Sequence, residues 1–181
     1  MPSSSNPASS PLQLAPIIVS APRIPSAIEG VPSAVSVVEM EEVVPGKPLL
    51  TLFDPLSRVP GVQVSNRLNF AQDLRVSIRG FGARSAFGIR GIQILVDGLP
   101  YTLPDGQSQI DDIDPEAIER IEVLRGPIAA LYGNSSGGVI NLLTREGSPE
   151  PSLEAAIVTG DFGLVKTVLQ AGGQADRTSG F

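Results

Sequence analysis

Residues 120–145 read RIEVLRGPIAALYGNSSGGVINLLTR, and this stretch decides the fold. Apolar and charged side chains alternate over residues 120–124, which is the pattern of a half-buried strand, and the Arg-Gly-Pro at 125–127 ends it. Residues 139–144 are rich in β-branched and aliphatic side chains and predict a second strand. The glycines of residues 133–138 supply the positive φ of a compact turn. The stretch therefore predicts two strands with a tight connection.

The same glycines have the spacing of a phosphate-binding loop, because Gly133 and Gly138 lie five residues apart. That motif requires Lys and then Ser or Thr after the second glycine, followed by a helix whose N-terminus faces the phosphates. Here Val139 and Ile140 follow instead, and they open a strand. The turn interpretation is therefore preferred to a nucleotide site.

Composition limits the function. The chain has 181 residues, a net charge of −6 and neither cysteine nor histidine. Nucleic acid binding requires a basic surface, and metal sites or nucleophilic catalysis based on Cys or His are excluded. No apolar run reaches the roughly 18 residues of a membrane helix. Residues 1–16 lack the basic start and apolar core of a secretory signal, so we expect that a signal was removed or that the sequence is incomplete.

Periodicity predicts the remaining elements. Besides 121–124 and 139–144, strand patterns occur at residues 34–38, 62–64, 74–79 and 92–97, and a hairpin is predicted from residues 152–159 and 164–171. Apolar spacing of 3 to 4 predicts a helix over residues 48–58, with Pro48 in its first turn; Pro55 either interrupts this helix or starts a second short turn after Asp54. A second short helix is predicted over 115–119, with Asp114 as its cap. We expect an α+β domain whose small mixed sheet is built from strands near residue 62 and at 74–79, 92–97, 121–124 and 139–144.

Four ordered motifs resemble the plug domain of TonB-dependent outer-membrane receptors. They are Pro-Gly-Val at 60–62, Arg-Val-Ser-Ile-Arg-Gly at 75–80, Ile-Leu-Val-Asp-Gly-Leu-Pro at 94–100 and the stretch 120–145. The similarity extends over about residues 16–170. Residues 66–109 most resemble receptors for ferric dicitrate and pyrroloquinoline quinone. The resemblance implies an α+β plug with a small mixed β-sheet and short helices, followed by a truncated transmembrane β-barrel hairpin.

The resemblance divides the chain into three parts. Residues 1–33 are a disordered N-terminal segment with a TonB box, residues 34–146 are the plug domain, and residues 147–181 are the first, truncated barrel strands. The implied box consists of Ile17, Ile18, Val19, Ser20 and Ala21. Prolines on both sides, Pro16 and Pro22, are expected to deny it a neighbouring strand of its own chain, which leaves it free to pair with a partner's sheet edge. The alternative is an apolar patch in a linker.

Two arginines are implied to lock the plug in the barrel. In the family, the arginines of the Ile-Arg-Gly and Leu-Arg-Gly motifs, here Arg79 and Arg125, pair with glutamates on the barrel wall. Arginine suits this role because its planar fork binds a carboxylate with two hydrogen bonds. Without the wall, we expect both to be unpaired or to rest against Glu122 or Asp97. The alternative is a pair of ordinary surface ion pairs.

Substrate contact is implied for two irregular loops, residues 80–91 and 101–109. Long glycine-rich connections usually carry function, and plug loops of the family form the floor of the substrate site. The candidate substrate-binding residues are Arg84, Arg90, Tyr101 and Gln107. Their guanidinium, phenol and amide groups suit a carboxylate-rich ligand.

The implied function is the gate of an energy-coupled transporter in the cell outer membrane, with its N-terminus in the periplasm. The implied partners are TonB with ExbB and ExbD, the chain's own C-terminal β-barrel, and a scarce small molecule such as a ferric siderophore, ferric citrate or a quinone cofactor. No catalytic residue, metal or cofactor is expected. Two alternatives remain: a freestanding plug that binds ligand or TonB in the periplasm, and an enzyme using carboxylates among Asp97, Asp105, Asp111 and Asp114, whose spacing singles out no pair.

Overall fold

The computed structural model describes residues 18–19, 26–27, 33–66, 69, 72–133, 135–175 and 178–180. Within these residues the strands are connected by one α-helix, α1 (Phe53–Ser57), and by short 3-10 helices at Met40–Glu42, Pro115–Ala117, Pro127–Tyr132 and Asp161–Gly163. The strands are β1 (Ile18–Val19), β2 (Ser26–Ala27), β3 (Ala34–Glu39), β4 (Val62–Ser65), β5 (Arg75–Ile78), β6 (Ile89–Arg90), β7 (Ile92–Val96), β8 (Leu99–Pro100), β9 (Gln107–Ser108), β10 (Ile118–Arg125), β11 (Gly138–Thr144), β12 (Ser152–Thr159), β13 (Val165–Ala175) and β14 (Thr178–Gly180).

The centre of the fold is a five-stranded mixed sheet in the order β3-β10-β11-β7-β8. Strands β10 and β11 are antiparallel, with Leu124 opposite Val139, and they are joined through the glycine-rich turn. Strand β7 lies parallel to β11, with Ile94 opposite Ile140. The sheet is therefore mixed, and the predicted α+β plug architecture is confirmed.

The membership of that sheet differs from the sequence-based expectation. Strands β4 and β5 form a separate antiparallel pair, with Val62 opposite Ile78, and β3 takes a place at the edge of the central sheet beside β10. The side chains of Val62, Val76 and Ile78 are buried in the main core, so this pair packs with the sheet instead of extending it. An alternation of period two identifies a strand but does not identify its neighbour.

Both predicted helices are shorter than expected. Helix α1 begins only at Phe53, because Leu49 has a φ of 45° and lies in the left-handed region, which a right-handed helix excludes. Of the two alternatives for Pro55, interruption of the helix is wrong, because Pro55 lies in the first turn of α1, where its missing N–H costs nothing. The second helix is a single 3-10 turn, Pro115–Ala117, capped as predicted by Asp114, and β10 begins directly after it.

Apolar side chains cover both faces of the central sheet. The main core lies between one face and the segment that contains α1 and the β4–β5 pair, and its fully buried members include Met40, Leu52, Leu56, Ile94 and Ile121. A smaller cluster on the other face contains Leu95, Leu124, Ala129 and Val139. Residues that alternate along β10 therefore face two different apolar layers, which explains why most of this strand is buried.

Strands β12 and β13, which follow the central sheet, form a hairpin with a largely exposed surface. Strands β12 and β13 are antiparallel, with Ile157 opposite Thr167. Alternate residues place large apolar side chains on one face, and these are 68–81% exposed: Leu153, Ile157, Val165 and Leu169. No helix in the described part of the chain is long and apolar enough to cross a membrane.

The segment interpreted as a TonB box pairs within its own chain, contrary to expectation. Strand β1 lies antiparallel to β2, with Ile18 opposite Ala27 and Val19 opposite Ser26. The flanking prolines do not prevent this, because Ile18 and Val19 keep their own N–H groups. Ile17, Ser20 and Ala21 lie outside the described residues, as does most of the segment 1–33 that was expected to be disordered, of which the structure describes residues 18–19, 26–27 and 33.

Candidate functional site

The first candidate site is built around Arg125, the last residue of β10. Its side chain is buried; Nη1 donates to the carbonyl oxygen of Pro60, and Nη2 donates to the hydroxyl of Ser36. The Nε–H is buried without a hydrogen-bond partner among the described residues. The pKa of Arg125 is lowered chiefly by the burial of its side chain and, to a smaller extent, by the positive charge of Arg79. The protein therefore holds a guanidinium in a place that disfavours its charge.

Arg79 lies beside it at the end of β5, with a φ of 50° and an exposed side chain. Its N–H donates to the carbonyl oxygen of Gly61 at 3.0 Å. A Cβ placed on Gly61 would lie 3.7 Å from Nη1 of Arg125 and 3.8 Å from Cγ of Arg79, so both arginines border the same Pro-Gly turn. Among the described residues, neither arginine forms an ion pair.

The two carboxylates considered as partners for these arginines are engaged elsewhere. Asp97 accepts hydrogen bonds from the N–H and the hydroxyl of Thr144, both at 2.8 Å. Glu122 is completely buried, lies 3.2 Å from Nη2 of Arg120 and accepts a 3.5 Å hydrogen bond from the amide of Asn141. Of the two arrangements expected for Arg79 and Arg125, contact with Glu122 or Asp97 is therefore not found, because nearer donors on β10 and β11 bind both carboxylates. The described residues show the other arrangement, in which neither arginine has a carboxylate partner.

Glu122 and Asn141 belong to a buried polar network that sequence reasoning did not recognise. The side-chain oxygen of Asn141 accepts a 3.1 Å hydrogen bond from the N–H of Gly98, in the turn after β7. The network thus ties β10 to β11 and β11 to the Asp97-Gly98 turn. No clear sequence signal pointed to it, because the alternation of Glu122 with Ile121 and Val123 is also the pattern of a half-buried strand whose polar face meets water.

The second candidate site is the loop surface that carries the predicted substrate contacts. Strands β6 and β9 pair there, and Nη2 of Arg90 donates to Oε1 of Gln107 at 2.9 Å while lying 3.7 Å from Asp105. Two of the four predicted residues are thus brought together. The exposed side chains of Phe81 and Phe87 lie in the same connection as Arg90, which gives this surface both cationic and aromatic groups.

The other two predicted contact residues are placed differently. The hydroxyl of Tyr101 donates to Asp112, and this hydrogen bond raises the pKa of Tyr101. Arg84 is exposed, and no described hydrogen bond joins it to Arg90, Tyr101 or Gln107. The structure therefore gathers Arg90 and Gln107 into one cluster and leaves Arg84 and Tyr101 outside it.

A mixed sheet backed by a separate strand pair, with glycine-rich loops between the strands, defines a small α+β domain. Residues 27–139 match the model of the TonB-dependent Receptor Plug Domain. The chain belongs to this family.

Known proteins with similar sequences or structures are transporters and receptors. The chain is 30% identical over 166 residues to the vitamin B12 transporter BtuB of Vibrio vulnificus, covering 91% of this chain and 24% of that protein. It is 34% identical over 142 residues to the ferrichrome outer membrane transporter/phage receptor of Escherichia coli, covering 77% of this chain and 18% of that protein. The crystal structure of the siderophore receptor PirA from Pseudomonas aeruginosa superimposes with a TM-score of 0.52 at 27% identity, covering 81% of this chain and 26% of that one. The chain spans less than a quarter of the length of the two sequence relatives.

Proposed function

We propose that this chain is the gate of an energy-coupled outer-membrane transporter, occluding a barrel until substrate and TonB act together. The observation that carries the proposal is the pair Arg79 and Arg125. Two neighbouring cations, one of them buried, have no carboxylate among the described residues, although a buried charge is stable only when it is paired. Glutamates on a surrounding barrel wall would supply that compensation, and the exposed side chain of Arg79 is the nearer of the two to such a wall.

The β12–β13 hairpin supports the same proposal. Its exposed apolar face consists of large side chains at alternate positions, which is the pattern of a strand whose one face meets lipid. The opposite face carries Glu154, Lys166 and Gln170, as expected for a surface directed to a polar interior. These strands are the proposed start of the barrel, and the apolar face would lie in the outer membrane.

Energy coupling is assigned to the segment Ile17 to Ala21. TonB, driven by ExbB and ExbD, would bind this segment as an added strand. Because Ile18 and Val19 already pair with β2, TonB must either replace β2 or use the other edge of β1. The β1–β2 pairing spans only two residues on each strand, and each backbone hydrogen bond contributes only about 1 kcal/mol net. Replacing β2 by a strand of TonB would therefore cost little.

The proposed substrate is a scarce anionic chelate or cofactor held by the loop surface. Arg90 and Gln107 form the centre of the proposed binding surface, and Arg84 and Tyr101 are proposed as contacts at its periphery. The relatives named above transport vitamin B12 and ferrichrome, and PirA is a siderophore receptor. Ferric siderophores, ferric citrate, vitamin B12 and quinone cofactors are therefore the probes to screen.

The experiment that tests the function uses the full-length receptor in cells that lack other receptors for these probes. Binding and uptake of labelled ferrichrome, ferric citrate, vitamin B12 and pyrroloquinoline quinone are measured for the unaltered receptor and for Val19→Pro. Proline removes a backbone donor from the proposed TonB strand, so we expect uptake to be lost while surface binding of the substrate persists. Uptake that survives Val19→Pro, or the absence of binding of any probe, would count against the proposal. Replacing Arg84 and Arg90 by Ala should weaken the binding itself.

The arginine pair gives a separate prediction about occlusion. In the full-length receptor, Arg79→Ala together with Arg125→Ala should loosen the plug, because removing one partner of a buried ion pair typically costs about 3 to 5 kcal/mol. Cells carrying the double variant should become more sensitive to vancomycin, which intact outer membranes exclude. Arg58→Ala is the control, since Arg58 is an exposed arginine that donates to the carbonyl oxygen of Glu42. Equal sensitivity of the two variants would refute the lock.

A further inference from the structure

One lysine of the hairpin reaches into the plug. Lys166 lies on β13, and its Nζ donates to the carbonyl oxygens of Pro48 at 3.1 Å and Leu49 at 3.0 Å, and to Oε1 of Glu116 at 2.7 Å. These three oxygens come from two segments of the plug that are far apart in sequence. An ammonium group has three N–H donors and no acceptor, so these contacts use its full donor capacity.

The carbonyl pair is a consequence of the unusual backbone at Leu49. Successive carbonyl groups of an extended chain point to opposite sides, whereas the left-handed conformation of Leu49, with a φ of 45°, lets neighbouring carbonyls face one cation. A left-handed conformation is strained for a residue with a side chain, such as Leu. The buried side chain of Leu49 and the cation at its carbonyl together keep the loop in this shape.

The contact is more enclosed than a surface ion pair of the same loop. The side chains of Lys166 and Glu116 are 18% and 15% exposed, whereas those of Lys47 and Asp54 are 47% and 24% exposed. Exclusion of water strengthens a charge-assisted hydrogen bond, and the two carbonyl groups add dipoles to the carboxylate. Lys166 therefore occupies a three-oxygen site formed by the plug.

We propose that Lys166 is a latch that fixes the hairpin to the plug at a point separate from Arg79 and Arg125. The latch has the opposite polarity from the arginine lock, since its cation is on the hairpin and its acceptors are on the plug. It connects β13 with the loop that leads into α1 and with the 3-10 turn that precedes β10. The contact holds the loop before α1 and the 3-10 turn before β10 against β13. This role does not depend on which substrate the receptor transports.

The test is amide hydrogen exchange of the protein purified in detergent, comparing Lys166→Met with Gln170→Met. Gln170 lies on the same strand and the same face, so the control introduces the same side chain without removing the cation. We expect exchange at residues 49–56 and 116–118 to become at least about tenfold faster in Lys166→Met, which corresponds to about 1.4 kcal/mol, and to remain unchanged in Gln170→Met. Equal exchange in the two variants would overturn the latch.

A charge exchange separates the three-oxygen site from a simple ion pair. In Lys166→Glu combined with Glu116→Lys, the ion pair is restored with reversed direction, but the carbonyl groups of Pro48 and Leu49 then face a carboxylate. We expect no return of slow exchange in this double variant. Recovery of the original protection would show that only the ion pair matters. Glu116→Gln, which keeps both carbonyl contacts, should accelerate exchange less than Lys166→Met, and a larger effect would also contradict the site.

Discussion

Gly138→Ala is expected to destabilise the protein by about 3 kcal/mol. A Cβ at this position would lie 2.5 Å from the backbone carbonyl oxygen of Leu124 and 3.3 Å from Cδ1 of Ile78, and the φ of Gly138 is 141°. The close atom is backbone of β10, the neighbouring strand in the centre of the sheet, so it cannot move aside as a flexible side chain would. Urea unfolding followed by circular dichroism measures the loss as a lower transition midpoint.

Gly133→Ala is the matched control for this experiment. Gly133 lies at the other end of the same turn with a φ of 76°, and no atom would lie within 4 Å of its Cβ. Only the left-handed conformation is then penalised, so the expected loss is about 1 to 2 kcal/mol. If both variants unfold at the same urea concentration, the close contact with Leu124 is not what requires glycine at position 138.

Glu122→Ala is expected to cost about 3 kcal/mol of unfolding free energy. Glu122 is completely buried, and its removal leaves the amide of Asn141 and the guanidinium of Arg120 without their carboxylate. Breaking a buried pair typically costs about 3 to 5 kcal/mol, and the value here lies at the lower end because the side chain of Arg120 is 28% exposed and keeps contact with water. The same urea titration measures it.

Glu119→Ala provides the comparison, because Glu119 is an exposed carboxylate on the same strand. A surface substitution of this kind changes stability by no more than about 0.5 kcal/mol. A small effect of Glu122→Ala, similar to that of Glu119→Ala, would mean that the polar network on β10 and β11 contributes specificity but little stability.

These two predictions explain what the family motifs encode. Glu122, Gly138 and Asn141 come from the motif at 120–145 and the Asp97-Gly98 turn from the motif at 94–100. Together they join neighbouring strands of one sheet through a close backbone approach and buried hydrogen bonds. Their role in this chain is architectural. The proposed substrate contacts lie instead in exposed loops, where the motifs are weakest, so the sequence identifies the family more readily than the substrate.

Local sequence determined the strands and turns of this protein. The alternation in β7 and β10, the strand composition of β11 and the glycine turn between β10 and β11 were predicted, because side-chain pattern and positive φ are properties of a short segment. The cap at Asp114 was predicted for the same reason, although the helix behind it ended after one turn.

Only the tertiary structure decided which segments meet. It paired β4 with β5 outside the main sheet, placed β3 at its edge, joined β1 to β2 and turned Glu122 toward Arg120 instead of Arg125. Lys166 and Pro48 are 118 residues apart, and nothing in either segment indicates the other. Sequence patterns record which side of an element is apolar, but pairing and ion contacts depend on competition among all donors and acceptors that folding brings within reach.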